Sequence, residues 1–232
     1  MRKRKPSVKH QNPHTENKDN FKFIWLGQTI LRYQVPLDIF NTLNGIYELH
    51  VNTLPSANKQ LVGQIKKEHS LYNSTETPRM KKHNSLPPYV LSWFESTFTH
   101  YLNVNNFPIT KAHLNSIWVN EMEPHEYNPI HVHQGALLTG LSSVMMLKIP
   151  KDMGPEIARA DNPSRGALQL IGNCGGDFTK TDFSPSLKER SFYVFPYDMR
   201  HCVYPHNNPS AKRRTLAANM DVDYDSILGR QV

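Results

Sequence analysis

Residues 190–205 read RSFYVFPYDMRHCVYP, and this stretch has the character of two β-strands separated by a short turn. The first run is rich in aromatic and β-branched side chains, which favour strands. It ends at Pro196, and a second β-prone run begins at His201. Because an antiparallel sheet folds successive runs back beside one another, His201 is expected to face residues from other strands.

Runs of the same kind recur from residue 115 to residue 222, separated by Gly, Pro, Asn and Asp. They are NSIWVNEM, IHVHQ, LLTGLSSVMMLKIP, GALQLIG, RSFYVFP, HCVYP and RRTLAANMDV. Many short strands at fairly regular spacing predict a sandwich, jelly roll or barrel.

The N-terminal half has a different pattern. Residues 22–35 predict a strand, and Pro36 then opens a helix, PLDIFNTLNGIYEL, where the missing N–H of proline does no harm. Residues 86–103 place apolar side chains along one face of a second helix. The polar stretch 53–86 gives only weak signals. The prediction is a mainly β protein with packed N-terminal helices.

We expect one folded domain in this chain of 232 residues. Residues 1–20 contain six lysines and arginines against two acids and lack apolar periodicity, which predicts a disordered basic tail. The domain would span 21–232, with a strand and helical support in 21–110 and the β core in 111–232. Nucleic acid contact by the tail is the less favoured interpretation, because no aromatic side chains for base stacking are interleaved with its charges.

The net charge of +7 is concentrated in that tail, so the core is only mildly basic. No run of about 18 apolar residues predicts a membrane span, and no apolar segment of a secretory signal follows the basic N-terminus. The two cysteines, Cys174 and Cys202, are too few for a disulfide framework and lack zinc-finger spacing. We therefore expect a cytoplasmic location.

Two histidines, His131 and His133, stand one residue apart in a β-prone run. Side chains i and i+2 of a strand project from the same face, so both imidazoles are expected to point the same way. Neutral imidazole is a common ligand of iron, zinc and copper. A third histidine, His201, would complete a metal site if the sheet brings it opposite the pair.

A basic pair, Arg213 and Arg214, begins the last β-prone run. The two side chains would point to opposite faces of one strand, so only one of them can reach a ligand; we expect this to be Arg213, which shares its face with Thr215. The planar guanidinium group can hold a carboxylate through two parallel hydrogen bonds.

The order of these motifs resembles the 2-oxoglutarate/Fe(II) oxygenases of the prolyl-4-hydroxylase-like superfamily, in particular a small branch common in phages and marine bacteria. The matching residues are Trp118 and Asn120, His131 and His133, Thr139 and Gly140, Phe195 and Pro196 with His201, and Arg213, Thr215 and Asn219. The resemblance covers a little under half of the chain.

This resemblance implies a double-stranded β-helix, the jelly roll, that holds Fe(II) at one end. It implies that 2-oxoglutarate binds the iron through its keto-acid end and that the arginine takes the distal carboxylate; Arg213, Arg214 and Thr215 are the candidate co-substrate residues. It further implies that dioxygen is used to split 2-oxoglutarate to succinate and carbon dioxide while a primary substrate is hydroxylated. That substrate is left open among a peptide, an amino acid, a nucleobase and a small metabolite.

The chain departs from the superfamily pattern at His133, where most members have Asp or Glu. Either His133 is itself a ligand, which we prefer because the strand aims it at the metal, or it lies behind the ligands with water in the third position. A third alternative is a carboxylate from elsewhere, such as Asp198 or Glu126.

A second departure is VMML at 144–147, where related enzymes often have a tyrosine that binds 2-oxoglutarate. Tyr193 and Tyr197 are the candidate replacements. Two other functions remain: a cupin-like three-histidine dioxygenase that does not use 2-oxoglutarate, and a non-catalytic jelly roll that binds a glycan, protein or nucleic acid. The first leaves Arg213 without a role, and the second does not need three histidines.

Overall fold

The computed structural model describes residues 27–74, 86–107, 111–155, 164–173, 175–177 and 179–223. The helices and strands within these ranges are, in chain order, β1 (Leu31–Gln34), α1 (Leu37–His50), a short 3-10 helix (Asn58–Gln60), β2 (Lys67–Asn73), α2 (Pro88–Val104), β3 (Lys111–Met122), β4 (Asn128–His131), β5 (Gly140–Lys148), β6 (Leu168–Ile171), β7 (Asp182–Phe183), β8 (Ser191–Pro196), β9 (Arg200–Val203) and β10 (Arg213–Asp223).

The strands form two antiparallel sheets. The larger sheet has the order β1-β8-β5-β10-β3-β2, and the smaller sheet has the order β4-β9-β6-β7. One apolar cluster joins Val144, Met146 and Phe195 of the larger sheet to Leu170 and Val203 of the smaller sheet. We call the face of the larger sheet that contributes to this cluster its inner face. The arrangement confirms the predicted jelly roll.

Both helices pack on the opposite, outer face of the larger sheet. Phe192 of β8 lies at the centre of this layer, with its ring 5.6 Å from that of Phe94 and 6.1 Å from that of Phe98, both on α2. Leu216 and Ala218 of β10 belong to the same buried cluster. Since alternate residues of a strand face opposite sides, Arg213, Thr215, Ala217 and Asn219 then lie on the inner face.

The helices begin and end within one or two residues of their predicted positions. In the predicted strand 22–35, the structure has only β1, and residues 22–26 lie outside the described part of the chain. β2 falls in the polar stretch 53–86, for which no clear secondary structure was predicted. It is an edge strand with the sequence KEHSLYN, and its pairing with β3 compensates for its weak intrinsic preference.

The predicted basic tail, 1–20, lies outside the described residues, and the division of the rest at residue 110 stays a prediction. Within the described ranges, the structure has no helix long and apolar enough to span a membrane.

Candidate active site

Three histidines converge between the two sheets. His131 is the last residue of β4, His201 lies opposite it on β9, and His133 follows β4 by two residues. One ring nitrogen from each residue lies within 4.8 Å of the other two. The ring centroids are 4.2 Å apart for His131 and His201, and 4.9 Å apart for His133 and His201. The structure brings together the three residues that the sequence analysis grouped. Their role as metal ligands stays a prediction.

Backbone carbonyls orient two of the rings. His131 Nδ1 lies 2.7 Å from the Pro129 carbonyl oxygen, and His201 Nδ1 lies 2.9 Å from that of Met199. A carbonyl can only accept, so each Nδ1 carries the proton and donates it, which leaves Nε2 with a free lone pair. Such a contact behind a metal-ligating histidine fixes the tautomer and the ring orientation. The Nε2 atoms of His133 and His201 are 3.0 Å apart, within hydrogen-bonding distance of one another.

The expectation that a strand aims His133 at the metal is wrong, because His133 lies outside β4. β4 ends at His131, and because its antiparallel partner β9 begins at Arg200, no residue of β9 lies opposite His133. Instead, the His133 N–H donates to the Tyr197 carbonyl at 2.9 Å, and the indole of Trp118 lies 5.8 Å from the imidazole.

Asn219 lies behind His133, with its amide nitrogen 3.5 Å from His133 Nδ1 and its Oδ1 without a partner among the described residues. Rotation of the amide by half a turn would let Oδ1 accept the Nδ1 proton of His133. That orientation gives His133 the same tautomer as the other two histidines.

Burial keeps all three imidazoles neutral. Loss of solvation, and secondarily the neighbouring histidines, lower the pKa of His201 to about 3 and that of His133 well below its usual value. The pKa of His131 is lowered by burial as well. Neutral imidazole is the form that ligates a metal ion, and no carboxylate from the described part of the chain joins the cluster.

The alternative carboxylate ligands are elsewhere. Asp198 is exposed and accepts a hydrogen bond from the Gln28 amide at 2.8 Å. Glu126 accepts the backbone N–H groups of Lys66 and Glu123 at 3.1 and 2.8 Å, so it ties two loops together. The hypothesis that either acid completes the cluster is wrong.

Arg213 is fully buried on the inner face of β10. Its Nη1 makes only long contacts, 3.6 Å to Met122 Sδ and 3.5 Å to Thr215 Oγ1, and its Nε and Nη2 have no hydrogen-bond partner among the described residues. Burial lowers the pKa of the guanidinium group to about 10, so it remains charged at neutral pH. A buried charge without a counter-charge is costly, and an anionic ligand would compensate for it.

Arg214 points to the outer face, so the structure does not support a co-substrate role for it. It forms salt bridges with Glu121 and with Glu48 of α1, and its guanidinium carbon lies 4.3 Å from the ring centroid of Tyr47. Thr215 lies on the inner face beside Arg213, as expected.

The inner face also carries polar atoms that lack partners within the described ranges. They are Asn120 Oδ1, Ser142 Oγ and Asn219 Oδ1. Ser142 was not singled out in the sequence; the period-two alternation of LSSVMM would have placed it with Val144 and Met146. Met146 and Met145 face inward and outward respectively, and both are core residues.

Neither candidate tyrosine offers its hydroxyl to the space around Arg213. The Tyr193 hydroxyl donates to the Ser186 carbonyl at 3.5 Å. The Tyr197 hydroxyl donates to Asp221 Oδ1 at 3.1 Å. The replacement of the family tyrosine by one of these two is therefore not supported.

A cavity of about 500 Å³ lies beside the loop that follows His133. Its lining includes Leu138, Gly140, Tyr197 and Asp198, together with Tyr101 near the end of α2. The Tyr197 carbonyl also accepts from the His133 N–H, so this residue contacts both the cavity and the segment that carries His133.

Residues 116–219, a little under half of the chain, match a family model described as "Putative 2OG-Fe(II) oxygenase". The matched segment is thus similar to the 2-oxoglutarate/Fe(II)-dependent oxygenases. The matched segment contains the three histidines, Arg213, Thr215 and Asn219. Comparison with curated protein sequences gave no match.

Solved structures of similar fold include a Pseudomonas putida prolyl-4-hydroxylase, with a TM-score of 0.53 and 12% sequence identity over 84% of this chain and 91% of that one. Another is a prolyl hydroxylase from Trichoplax adhaerens, in complex with a hypoxia inducible factor peptide fragment, with a TM-score of 0.50 and 12% identity over 89% of this chain and 87% of that one. At this identity the likeness is one of fold, and it agrees with the jelly roll described above.

Proposed function

We propose that this chain is a 2-oxoglutarate/Fe(II)-dependent oxygenase, in which His131, His133 and His201 ligate the Fe(II) and Arg213 binds the distal carboxylate of 2-oxoglutarate. The observation that carries the proposal is Arg213 itself: a fully buried guanidinium group whose Nε and Nη2 lack partners in the described structure. Three neutral imidazoles are suitable ligands for a divalent iron. The buried guanidinium group of Arg213 can donate two parallel hydrogen bonds to a carboxylate.

When bound, iron and 2-oxoglutarate supply the oxidising chemistry, in which dioxygen is consumed and 2-oxoglutarate is split to succinate and carbon dioxide. The protein holds the ligands in place and keeps water out. Phe195, whose ring lies 4.9 Å from that of His201, and Val144 and Met146 form the apolar wall of the site. Asn120 and Ser142 offer the remaining polar contacts to a bound ligand.

The three-histidine set has one more positive charge than a set of two histidines and a carboxylate. Under this proposal the negative charge of 2-oxoglutarate compensates for part of it, and Arg213 neutralises the distal carboxylate. The buried arginine disfavours the cupin-like alternative, which gives Arg213 no partner. The phage or marine-bacterial branch indicated by the motif order stays a prediction.

The ligand set is tested by anaerobic Fe(II) titration of the parent and of His131→Ala, His133→Ala and His201→Ala. Each alanine variant should lose most of its iron, because two ligands hold a labile divalent ion poorly. His133→Asp is the matched variant; it restores the usual carboxylate and should bind iron and release succinate. Full iron and succinate formation in His133→Ala would exclude His133 as a ligand.

We propose that the primary substrate is hydroxylated and that it contacts the cavity beside Tyr197. Leu138, which lines this cavity and is 83% exposed, is the residue to change. Incubation with a host lysate and 2-oxoglutarate should give a product heavier by one oxygen atom. Leu138→Glu should lose that product while keeping succinate release without substrate. Leu49→Glu, at a similarly exposed position on α1, should change neither. Equal product from both variants would exclude the cavity as the binding site of the primary substrate.

We also propose a reducing, cytoplasmic location, which the unpaired Cys202 thiol supports. A substrate found only in an oxidising compartment would contradict it.

A further inference from the structure

The segment that carries His133 is irregular. It leaves β4 at His131 and regains strand structure at Gly140, where β5 begins. His131 and His201 each lie in a strand, but His133 depends on contacts from other parts of the chain. Its backbone N–H is held by the carbonyl of Tyr197 at 2.9 Å.

Asp221 is a fully buried carboxylate at the end of β10, next to this segment. Its Oδ2 accepts hydrogen bonds from the Ala136 backbone N–H at 3.0 Å and from the Asn115 side-chain amide at 2.8 Å. His113 Nε2 lies 3.5 Å from the same oxygen. Its Oδ1 accepts from the Tyr197 hydroxyl at 3.1 Å. Unlike Arg213, Asp221 therefore has its hydrogen-bonding capacity used within the protein.

Asp221 reaches the His133 segment from two sides. Directly, it binds the Ala136 amide, three residues after His133. Indirectly, it binds the hydroxyl of Tyr197, the residue whose carbonyl holds the His133 amide. Burial and the charge of Asp221 raise the pKa of Tyr197, so its hydroxyl stays protonated and continues to donate.

Two glycines let the segment approach this closely. A Cβ added at Gly135 would overlap Asp221 Oδ1, and a Cβ added at Gly140 would overlap the ring of Tyr197. Only glycine permits both contacts without a shift of the backbone. The two glycines of QGALLTG at 134–140 thus allow this segment to pack against Asp221 and Tyr197.

We propose that Asp221 is a positioning residue that places the His133 imidazole in the three-histidine cluster, acting through the Ala136 amide and through Tyr197. The proposal rests on the ligand role of His133 proposed above. It explains how a third ligand can stand outside the strand that carries the first.

The test is anaerobic Fe(II) titration of Asp221→Asn, His133→Ala and the double variant. Partners behind metal ligands typically change metal affinity about 10- to 100-fold, so Asp221→Asn should weaken Fe(II) binding by about tenfold or more. In the His133→Ala background the same change should have no further effect. The visible spectrum of the Co(II)-loaded protein should also differ between Asp221→Asn and the parent, since the ligand geometry changes. Asp223→Asn, two residues along the same strand, is the matched control and should leave affinity and spectrum unchanged.

Tyr197→Phe provides a second variant if Asp221→Asn does not fold. It keeps the carbonyl and the ring but breaks the link to Asp221, so it should weaken iron binding several-fold. An unchanged Fe(II) affinity in Asp221→Asn, or an equal loss in both backgrounds, would overturn the positioning role while the ligand role of His133 stands. Full iron retention in His133→Ala would instead overturn the ligand role and the positioning role together.

Discussion

Arg213 and Arg214 are adjacent in sequence but have opposite environments. On the outer face of β10, Arg214 contacts two glutamates and a tyrosine ring, and each partner comes from the protein itself. On the inner face, Arg213 is buried with two nitrogen atoms that have no partner in the described structure. The contacts of Arg214 on the outer face stabilise the fold, whereas Arg213 on the inner face keeps hydrogen-bond donors available for a ligand. The following predictions test this contrast.

Arg214→Met should have the largest effect on stability. It leaves Glu121, whose side chain is 6% exposed, as a buried charge without its closest partner. Breaking a buried ion pair costs about 3–5 kcal/mol, which for a chain of this size corresponds to roughly 10 °C in melting temperature. Thermal unfolding should show this loss, and the affinity of the folded protein for 2-oxoglutarate should be unchanged. A large loss of affinity would mean that the two faces have been assigned in reverse.

Arg213→Met should instead lower the affinity for 2-oxoglutarate and leave the stability intact. Removing one partner of a buried charged contact costs about 2–4 kcal/mol, so the dissociation constant for 2-oxoglutarate should rise roughly 30- to 1000-fold. The ligand-free protein should be as stable as the parent or more stable, because an unpaired buried charge has been removed. Calorimetric titration with 2-oxoglutarate and thermal unfolding measure the two quantities. The contrast fails if the variant keeps its affinity and loses stability.

Glu68 of β2, at the edge of the same sheet, is a second buried ionisable side chain that, like Arg213, has polar atoms without a partner among the described residues. It is 1% exposed, and both of its carboxylate oxygens lack hydrogen-bond partners in the described residues. Burial, and secondarily Glu126, raise its pKa to about 7. Since the folded state holds this proton more tightly than the unfolded state does, the free energy of unfolding falls as the pH rises from about 4.5 to 7.

Glu68→Gln removes that pH-dependent cost. The variant should match the parent at pH 5 and be more stable at pH 8, by up to about 3 kcal/mol. Denaturant unfolding at the two pH values is the measurement. Equal stability of parent and variant at pH 8 would show that Glu68 is solvated or paired when ionised.

Glu48→Ala should have the smallest effect. Glu48 is the exposed partner of Arg214, with 60% of its side chain accessible to solvent. Exposed ion pairs contribute about 0–1 kcal/mol, and Glu121 remains as the buried partner of Arg214. A shift in melting temperature of more than a few degrees would contradict the view that Glu121 is the main partner.

The parts of the site that could be predicted from the sequence depend on local periodicity or on motif order. Alternation along a strand is enough to separate Arg213 from Arg214, because neighbouring side chains point to opposite faces. The distal histidine, His201, was identified by its order after the histidine pair. The fold class followed from the spacing of short β-prone runs, and the helices from their prolines and apolar faces.

The parts that could not be predicted depend on contacts between distant residues. The sequence does not reveal that β4 ends at His131, because this depends on where its partner β9 begins. Asp221 was missed for the same reason, since its hydrogen-bond donors lie 24 to 106 residues away. β2 was missed because its polar sequence forms a strand only when β3 is beside it.

The central claim is that the unpaired groups between the sheets hold Fe(II) and 2-oxoglutarate. A crystal structure of the protein prepared without oxygen, with both added, is the most direct test. The account predicts one iron bound by the Nε2 atoms of His131, His133 and His201, with the distal carboxylate of 2-oxoglutarate against Nε and Nη2 of Arg213. An iron bound without His133, or a 2-oxoglutarate whose distal carboxylate lies away from Arg213, would contradict it.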